Sequence, residues 1–332
     1  MATLPRMHHE IEPHLIELIV VRSGSASVAD PRSLARDVDR GVLVRVRRGV
    51  YVLHAAWEPL SPEQRHVVAM RALAAASGPP LAFSHGSAAV ALGLPILDRR
   101  RLASVHLTAV RDERRTLHGT AVHEFDIGRG ELTRVGELLV TTPARTVVDV
   151  AGAAPFREGV VTADGAMHRG VRRAALQEAA VLAGFRRAAV RIADVLAFAH
   201  PDAESAAESE SRTSMLLLGI APPVLQHRFF DRRGFVARSD FWDPERRIAG
   251  EADGMKKFLD PALATEGAGM AVWEEKRRED RLLGCVHRLA RWGYREARSV
   301  TLLGRVLAAA GWLPAAPPAT LHDYIAAART FG

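Results

Sequence analysis

Apolar and basic residues alternate between positions 41 and 53, in Gly-Val-Leu-Val-Arg-Val-Arg-Arg-Gly-Val-Tyr-Val-Leu, with a break at Arg48-Gly49. Successive side chains of a strand point to opposite faces, so this pattern predicts a two-stranded hairpin with one apolar and one basic face. Arg45 and Arg47 are expected on a shared face and Arg48 at the tip. Just upstream the period lengthens to that of a helix. Asp30-Pro31 offers an N-cap and a first-turn proline, Gly41 a terminator after Arg40, and Arg32, Arg36 and Arg40 recur along one helical face. An earlier apolar run, His14 to Val21, reads as a further helix.

Helices followed by a basic hairpin make up a winged helix-turn-helix, expected over residues 1–55. Such a module lays one helix in the major groove, where Arg32, Arg36 and Arg40 would lie, and sets its wing on phosphates, here through Arg45, Arg47 and Arg48. A small domain with a solvated basic face remains the alternative. Residues 56–200 alternate helical and strand signals and predict a mixed α/β domain with a structural or interaction role. Ser84 and Thr142-Pro143 read as helix starts, and Val105 to Thr108, Ala121 to Phe125 and Leu138 to Thr141 as short strands. Ser84, His85 and Asp149 have the residue types of a hydrolase triad, but no Gly-x-Ser-x-Gly elbow accompanies them.

From residue 201 to 332 the pattern predicts a helix through Leu218, ending at Gly219, and then a three-stranded meander. Its strands are Pro222 to Phe230, Phe235 to Trp242 and Arg247 to Gly254, turning at Asp231 to Gly234 and at Asp243-Pro244. Residues two apart on a strand share a face, so Glu251 and Asp253 are expected together, with Asp240 beside them on the adjoining strand. Three carboxylates brought together repel unless a cation joins them, and hard oxygen ligands suit Mg²⁺ or Mn²⁺. Glu208 and Arg212 are spaced as a surface pair on the preceding helix.

Composition sharpens this picture at one point. The 332 residues hold 45 lysines and arginines, yet the only lysines are Lys256, Lys257 and Lys276, all close to the acidic trio. An ammonium is a compact point charge and a guanidinium a planar fork, so confinement of lysine to this stretch marks a site, unless it is an accident of a lysine-poor composition. The net charge of +7 points to a polyanionic partner. A single cysteine, Cys285, fits a reducing compartment, and a polar start with no long apolar run predicts a cytoplasmic protein without membrane attachment.

Two resemblances follow. Gly41 to Tyr51, Trp57-Glu-Pro-Leu60, Phe83-Ser-His-Gly-Ser-Ala-Ala-Val-Ala-Leu-Gly-Leu-Pro95 and Thr142-Pro-Ala-Arg-Thr-Val-Val-Asp149 together resemble the AbiEi family of antitoxin-type proteins. That resemblance implies an N-terminal winged helix on operator DNA, a domain supporting repression, and a cognate toxin protein, a nucleotidyltransferase, as partner. The stretch from Val21 to Asp30 departs from the pattern, being too short for a full middle helix.

The last segment resembles the PD-(D/E)xK nucleases, in the branch near very-short-patch-repair endonucleases. The resemblance implies a restriction-endonuclease-like α/β domain with a mixed sheet and metal-dependent phosphodiester cleavage. Asp240 stands for the first acid, Glu251 for the second and Glu208 for an acid on the preceding helix, with Asp240 and Glu251 as metal ligands. Asp253 replaces the usual lysine, and Lys257 takes the basic position after Glu-x-Asp-Gly. Lys256 and Lys276 would add DNA contacts. Arg291-Trp292 falls where the family closes with a strand, but Val286 and His287 replace its glycine and tryptophan. Two readings stay open: a DNA-binding protein carrying a metal-dependent endonuclease, and a non-catalytic regulator or antitoxin whose nuclease-like fold serves for binding.

Overall fold

A computed structural model describes residues 12–21, 31–77, 80–109, 119–124, 127–253, 277–278, 280–314 and 321. The fold is α+β, with three sheets among the described residues. Contacts divide it into two units, residues 1–153 with 175–185, and residues 154–174 with 186–332.

The first unit opens with β1 (Ile19–Val20), α1 (Pro31–Asp39), β2 (Leu43–Arg47) and β3 (Val50–Leu53), the strands forming one antiparallel sheet in the order β1-β3-β2. The hairpin turns where the alternation breaks, and Gly49 adopts φ 76° there, a left-handed backbone that favours glycine. The helix expected from His14 to Val21 does not form. Pro13–Leu15 makes one 3₁₀ turn, and Ile19 and Val20 pair with Tyr51 and Val50. A run ending in three β-branched residues fits the open edge of β3 better than a helix. The cap expected at Asp30 lies outside the described residues.

Then come α2 (His54–Trp57) and α3 (Pro62–Ala76), the latter opened by a reciprocal Ser61/Gln64 capping box. Ile16, Val52, Leu60 and Val68 close a small core. Next are β4 (Ala82–Phe83), α4 (His85–Ala91), β5 (Val105–Ala109), β6 (Thr120–Glu124), β7 (Leu132–Val135), β8 (Leu138–Thr141) and α5 (Pro143–Ala153). They build a mixed five-stranded sheet, β6-β5-β4-β8-β7, whose core holds Phe83, Leu107, Leu138 and Val140 with Met70 and Leu73 of α3.

The second unit contains α6 (Phe156–His168), and beyond α7 (Arg173–Ala183) it continues with α8 (Ala189–Phe198) and α9 (Ala206–Leu217). Its strands are β9 (Val224–Asp231), β10 (Gly234–Asp243), β11 (Ile248–Asp253) and β12 (Arg288–Gly293). Residues 280–285 form α10, and α11 (Tyr294–Arg298) and α12 (Val300–Ala309) follow β12. The meander β9-β10-β11 is antiparallel as its turns predict, and β12 adds in parallel beside β11. One core joins Phe241, Ile248 and Trp292 of the sheet with Met215 of α9, Leu303 and Leu307 of α12, and Trp312. A second joins Phe229, Trp242 and Ala249 with Leu282 of α10 and Val286. Asp240 lies within β10, and Glu251 near the end of β11.

Candidate functional site

The centre of the site is a place where two strands part. The ladder between β10 and β11 runs only from Phe241↔Gly250 to Asp243↔Ile248, although β10 begins at Gly234 and β11 continues to Asp253. Continued by one step, that register sets Asp240 opposite Glu251. There the side chain replaces the ladder: Asp240 Oδ2 accepts the Ala252 backbone N–H at 2.9 Å. A carboxylate held by a peptide N–H is fixed in position and keeps acceptor capacity.

Each neighbouring strand adds one polar residue to this row. On β12, Arg291 pairs in register with Glu251, and its Nε donates to Glu251 Oε2 at 2.8 Å. On β9, the flanking pairs His227↔Ser239 and Leu225↔Phe241 set Gln226 opposite Asp240. Gln226 has φ 52°, left-handed for a residue inside a strand. Its Nε2 donates to Glu208 Oε2 at 2.8 Å, while its buried Oε1 has no hydrogen-bond partner among the described residues.

Glu208 lies in the first turn of α9, where Ser205 is the N-cap. Ser205 Oγ accepts from the Glu208 N–H at 3.2 Å and donates to Oε1 at 2.7 Å, and the Glu204 N–H donates to Oε2 at 3.0 Å. Burial pushes the Glu208 carboxyl above its ordinary range, opposed by these bonds and by that from Gln226. Arg238 clamps Glu204 through two bonds of 2.7 and 2.8 Å and adds positive charge near Asp240 and Glu208. The expected Glu208–Arg212 surface pair does not form. Arg212 is buried and binds Asp164 of α6 at 2.8 Å, because α9 turns that face into the protein.

The structure therefore brings Glu208, Asp240 and Glu251 into one polar region of the second unit. Asp253 ends β11, its side chain outside the described set, and Lys256, Lys257 and Lys276 fall among residues that are not described. Among the described residues no group of three or more His, Cys, Asp or Glu is arranged to hold a metal ion. Gln226 was not singled out by the sequence, and Arg291 was marked only as part of a closing strand, not as a partner of Glu251. The parallel addition of β12 brings Arg291 into place and a left-handed backbone Gln226.

In the first unit, Arg32, Arg36 and Arg40 are exposed along α1, as is Arg48 at the hairpin tip. Arg45 and Arg47 do not share a face. The pairing steps from Arg45↔Tyr51 to Arg47↔Val50, two residues on β2 against one on β3, and this bulge directs the two arginines to opposite sides. Burial lowers the pKa of Arg47, whereas Arg45 is exposed.

Ser84, His85 and Asp149 meet only inside the protein. Ser84 Oγ lies 2.9 Å from His85 Nδ1 rather than capping α4, and Arg145 Nε donates to Asp149 Oδ1 at 2.7 Å. All three residues are buried, so the cluster is structural rather than a hydrolase triad. The imidazoles of His85 and His123 stack at 3.6 Å, and His106 Nδ1 lies 3.0 Å from His123 Nε2.

No model of a known protein family matches the chain. Two Mycobacterium tuberculosis proteins do, the uncharacterized protein MT2308 of strain CDC 1551 and the uncharacterized protein Rv2248 of strain H37Rv. Each is 33% identical over 227 residues, 68% of this chain and 79% of the relative. At that identity and coverage, the chain belongs to the family of these two mycobacterial proteins.

Proposed function

We propose that the protein binds DNA through its first unit and that its second unit is a divalent-metal-dependent endonuclease of the PD-(D/E)xK kind. The observation that carries this reading is the parting of β10 from β11 where Asp240 faces Glu251, with Asp240 anchored on the Ala252 N–H. A helix, three antiparallel strands, a helix and a parallel strand follow one another, in keeping with the mixed sheet that the nuclease resemblance implies. Asp240 and Glu251 would hold the ion, and their oxygen donors on adjoining strands fit Mg²⁺ or Mn²⁺. Bound there, the ion would neutralise phosphate charge and activate water. Gln226 and Glu208 would orient the substrate backbone beside it. The exposed arginines of α1 and the β2–β3 hairpin supply a basic surface of winged-helix type for DNA.

The test is incubation with supercoiled plasmid and Mg²⁺ or Mn²⁺, with and without chelator. Asp240→Asn and Glu251→Gln keep size and remove charge, so each is expected to reduce cleavage by at least about tenfold to a hundredfold with the fold intact. Cleavage at the wild-type rate in either variant overturns the assignment.

One observation favours a second reading. Arg291 already neutralises Glu251 at 2.8 Å, as an internal cation would in a site used for binding alone. In that reading the chain is a non-catalytic regulator or an antitoxin of AbiEi type. Metal-independent operator binding, absence of cleavage under every metal, and co-purification with a nucleotidyltransferase would favour it.

A further inference from the structure

The side chain of Glu251 is 11% exposed, and a carboxylate so enclosed needs a counter-charge close by. Arg238 and Arg291 both bring positive charge to this part of the second unit, and they hold their partners differently. Arg238 grips both oxygens of Glu204 with Nη1 and Nη2, at 2.7 and 2.8 Å, a bidentate clamp. Arg291 meets Glu251 through Nε, on Oε2 at 2.8 Å, and its side chain is 38% exposed. One bond at the solvent side is the weaker hold.

The backbone under Arg291 is fixed. Ala290 and Trp292 on either side are buried, and Trp292 Nε1 donates to Ser211 Oγ at 2.8 Å. Movement of the guanidinium is therefore confined to its own side chain, which can change rotamer without disturbing β12. Its place in the sheet matters as much. Arg291 stands in register beside Glu251 on one side, and Asp240 faces Glu251 from the other. A divalent cation on those two carboxylates would compete with the guanidinium for Oε2, because two cations on one oxygen repel.

We infer that Arg291 is an exchangeable counter-ion, which neutralises Glu251 in the absence of metal and passes to a DNA phosphate when a divalent cation takes its place, so that metal and DNA favour each other's binding. The inference rests on the nuclease reading above and states how that site is held back away from its substrate. Without DNA, Arg291 opposes the cation and leaves Glu251 for no better partner. With a phosphate at the site, the planar guanidinium meets an acceptor that matches its fork, and the opposition turns into assistance. Linkage makes the effect reciprocal, since DNA raises the affinity for metal by the same factor as metal raises the affinity for DNA.

The full-length protein is titrated with Mn²⁺, free ion being read by electron paramagnetic resonance, with and without a phosphorothioate duplex that resists cleavage. The duplex is expected to tighten Mn²⁺ binding by the wild type about tenfold. Arg291→Gln removes the competing charge, so it is expected to bind Mn²⁺ alone about tenfold more tightly than the wild type and to gain little from the duplex. Arg291→Lys keeps the charge and loses the fork, so it is expected to bind Mn²⁺ alone like the wild type and to lose most of the gain from the duplex. Mn²⁺ affinity in Arg291→Gln no higher than wild type, or a full gain from the duplex in either variant, overturns the inference. If Arg291→Gln does not fold, the gain in Arg291→Lys decides alone. A failure of this kind leaves the nuclease reading standing as long as Mn²⁺ binding is abolished by Glu251→Gln. Wild-type protein that binds no Mn²⁺, with or without duplex, removes both.

Discussion

At the scale of single residues, the site is assembled by contacts of three reaches: a tight turn between β10 and β11, a parallel strand returning from forty residues on, and one left-handed residue in β9. Asp240 and Glu251 are brought together by alternation and by the Asp243-Pro244 turn, both visible in the chain. Arg291 is forty residues from Glu251, and nothing local announces that β12 returns in parallel beside β11. Gln226 is likewise silent, since its strand pattern is regular and only its left-handed backbone turns it toward Glu208. A glycine in β11 is equally informative in retrospect. A methyl group on Gly250 would stand 2.7 Å from Trp292 Cη2 and 3.0 Å from Trp312 Cζ3, so two indoles pack where no side chain can be. Gly250→Ala is expected to destabilise the protein by about 1–3 kcal/mol, since neither indole can retreat through a close-packed core. Gly284→Ala, in open space on α10, is expected to be neutral or stabilising by up to about 1 kcal/mol. Urea midpoints of the pair check this, and equal midpoints would remove the steric account.

At the scale of elements, local signals succeeded wherever turn chemistry and period agreed. The β2–β3 hairpin, β5, β6 and β8 of the five-stranded sheet, α9 and the meander lie where alternation, capping residues and glycine set them, whereas β4 and β7 carry no such signal. The apolar run before α1 misled because its end, Ile19 and Val20, pairs with the edge of β3, a partner that the local pattern does not show. The β2 bulge was equally invisible, and it changes what the hairpin can do. Arg45 and Arg48 are exposed, while Arg47 is partly buried on the other side, so the basic surface of the hairpin carries two fully solvated charges rather than three. If this hairpin grips phosphates, Arg45→Ala and Arg48→Ala are each expected to weaken DNA binding equally for all sequences and to lower the salt slope by about 0.9. Arg47→Ala is expected to leave the slope nearly unchanged. Duplex titrations over a range of salt measure both, and a slope insensitive to Arg45 and Arg48 would take the hairpin out of the DNA contact.

At the scale of the whole molecule, the two units carry their perturbed titrations in different residues and are expected to answer acid differently. In the first unit, burial lowers the pKa of His66 and His123 to about 4 and moves His85 and His106 in the same direction. These rings face one another and Ser84, Ser87, Arg101 and Arg145, with the carboxylates Asp149 and Glu131 beyond. His66 and His123 bind a proton near 6.5 when unfolded and only near 4 when folded, and His85 and His106 shift in the same direction. The unfolded state therefore takes up protons first, and stability present above pH 6.5 is lost as the pH falls toward 4. For His66 that corresponds to roughly 3 kcal/mol once protonation is complete. Asp149, pushed up to about 6 by burial, works the other way between its unfolded value and 6, but it is one group against four. In the second unit the order reverses. Burial raises Glu210 to about 6 and moves Glu208 and Asp164 upward, which favours the folded state as the pH falls, while His200 and His227 move down and partly offset this. Calorimetry between pH 7.5 and 5 is expected to resolve two thermal transitions, of which one falls by several degrees on acidification and the other moves little. His123→Phe keeps the ring stack and removes a titrating group, so it is expected to flatten the falling transition. Equal shifts of both transitions, or no flattening in that variant, would show that the histidine stack does not govern acid sensitivity.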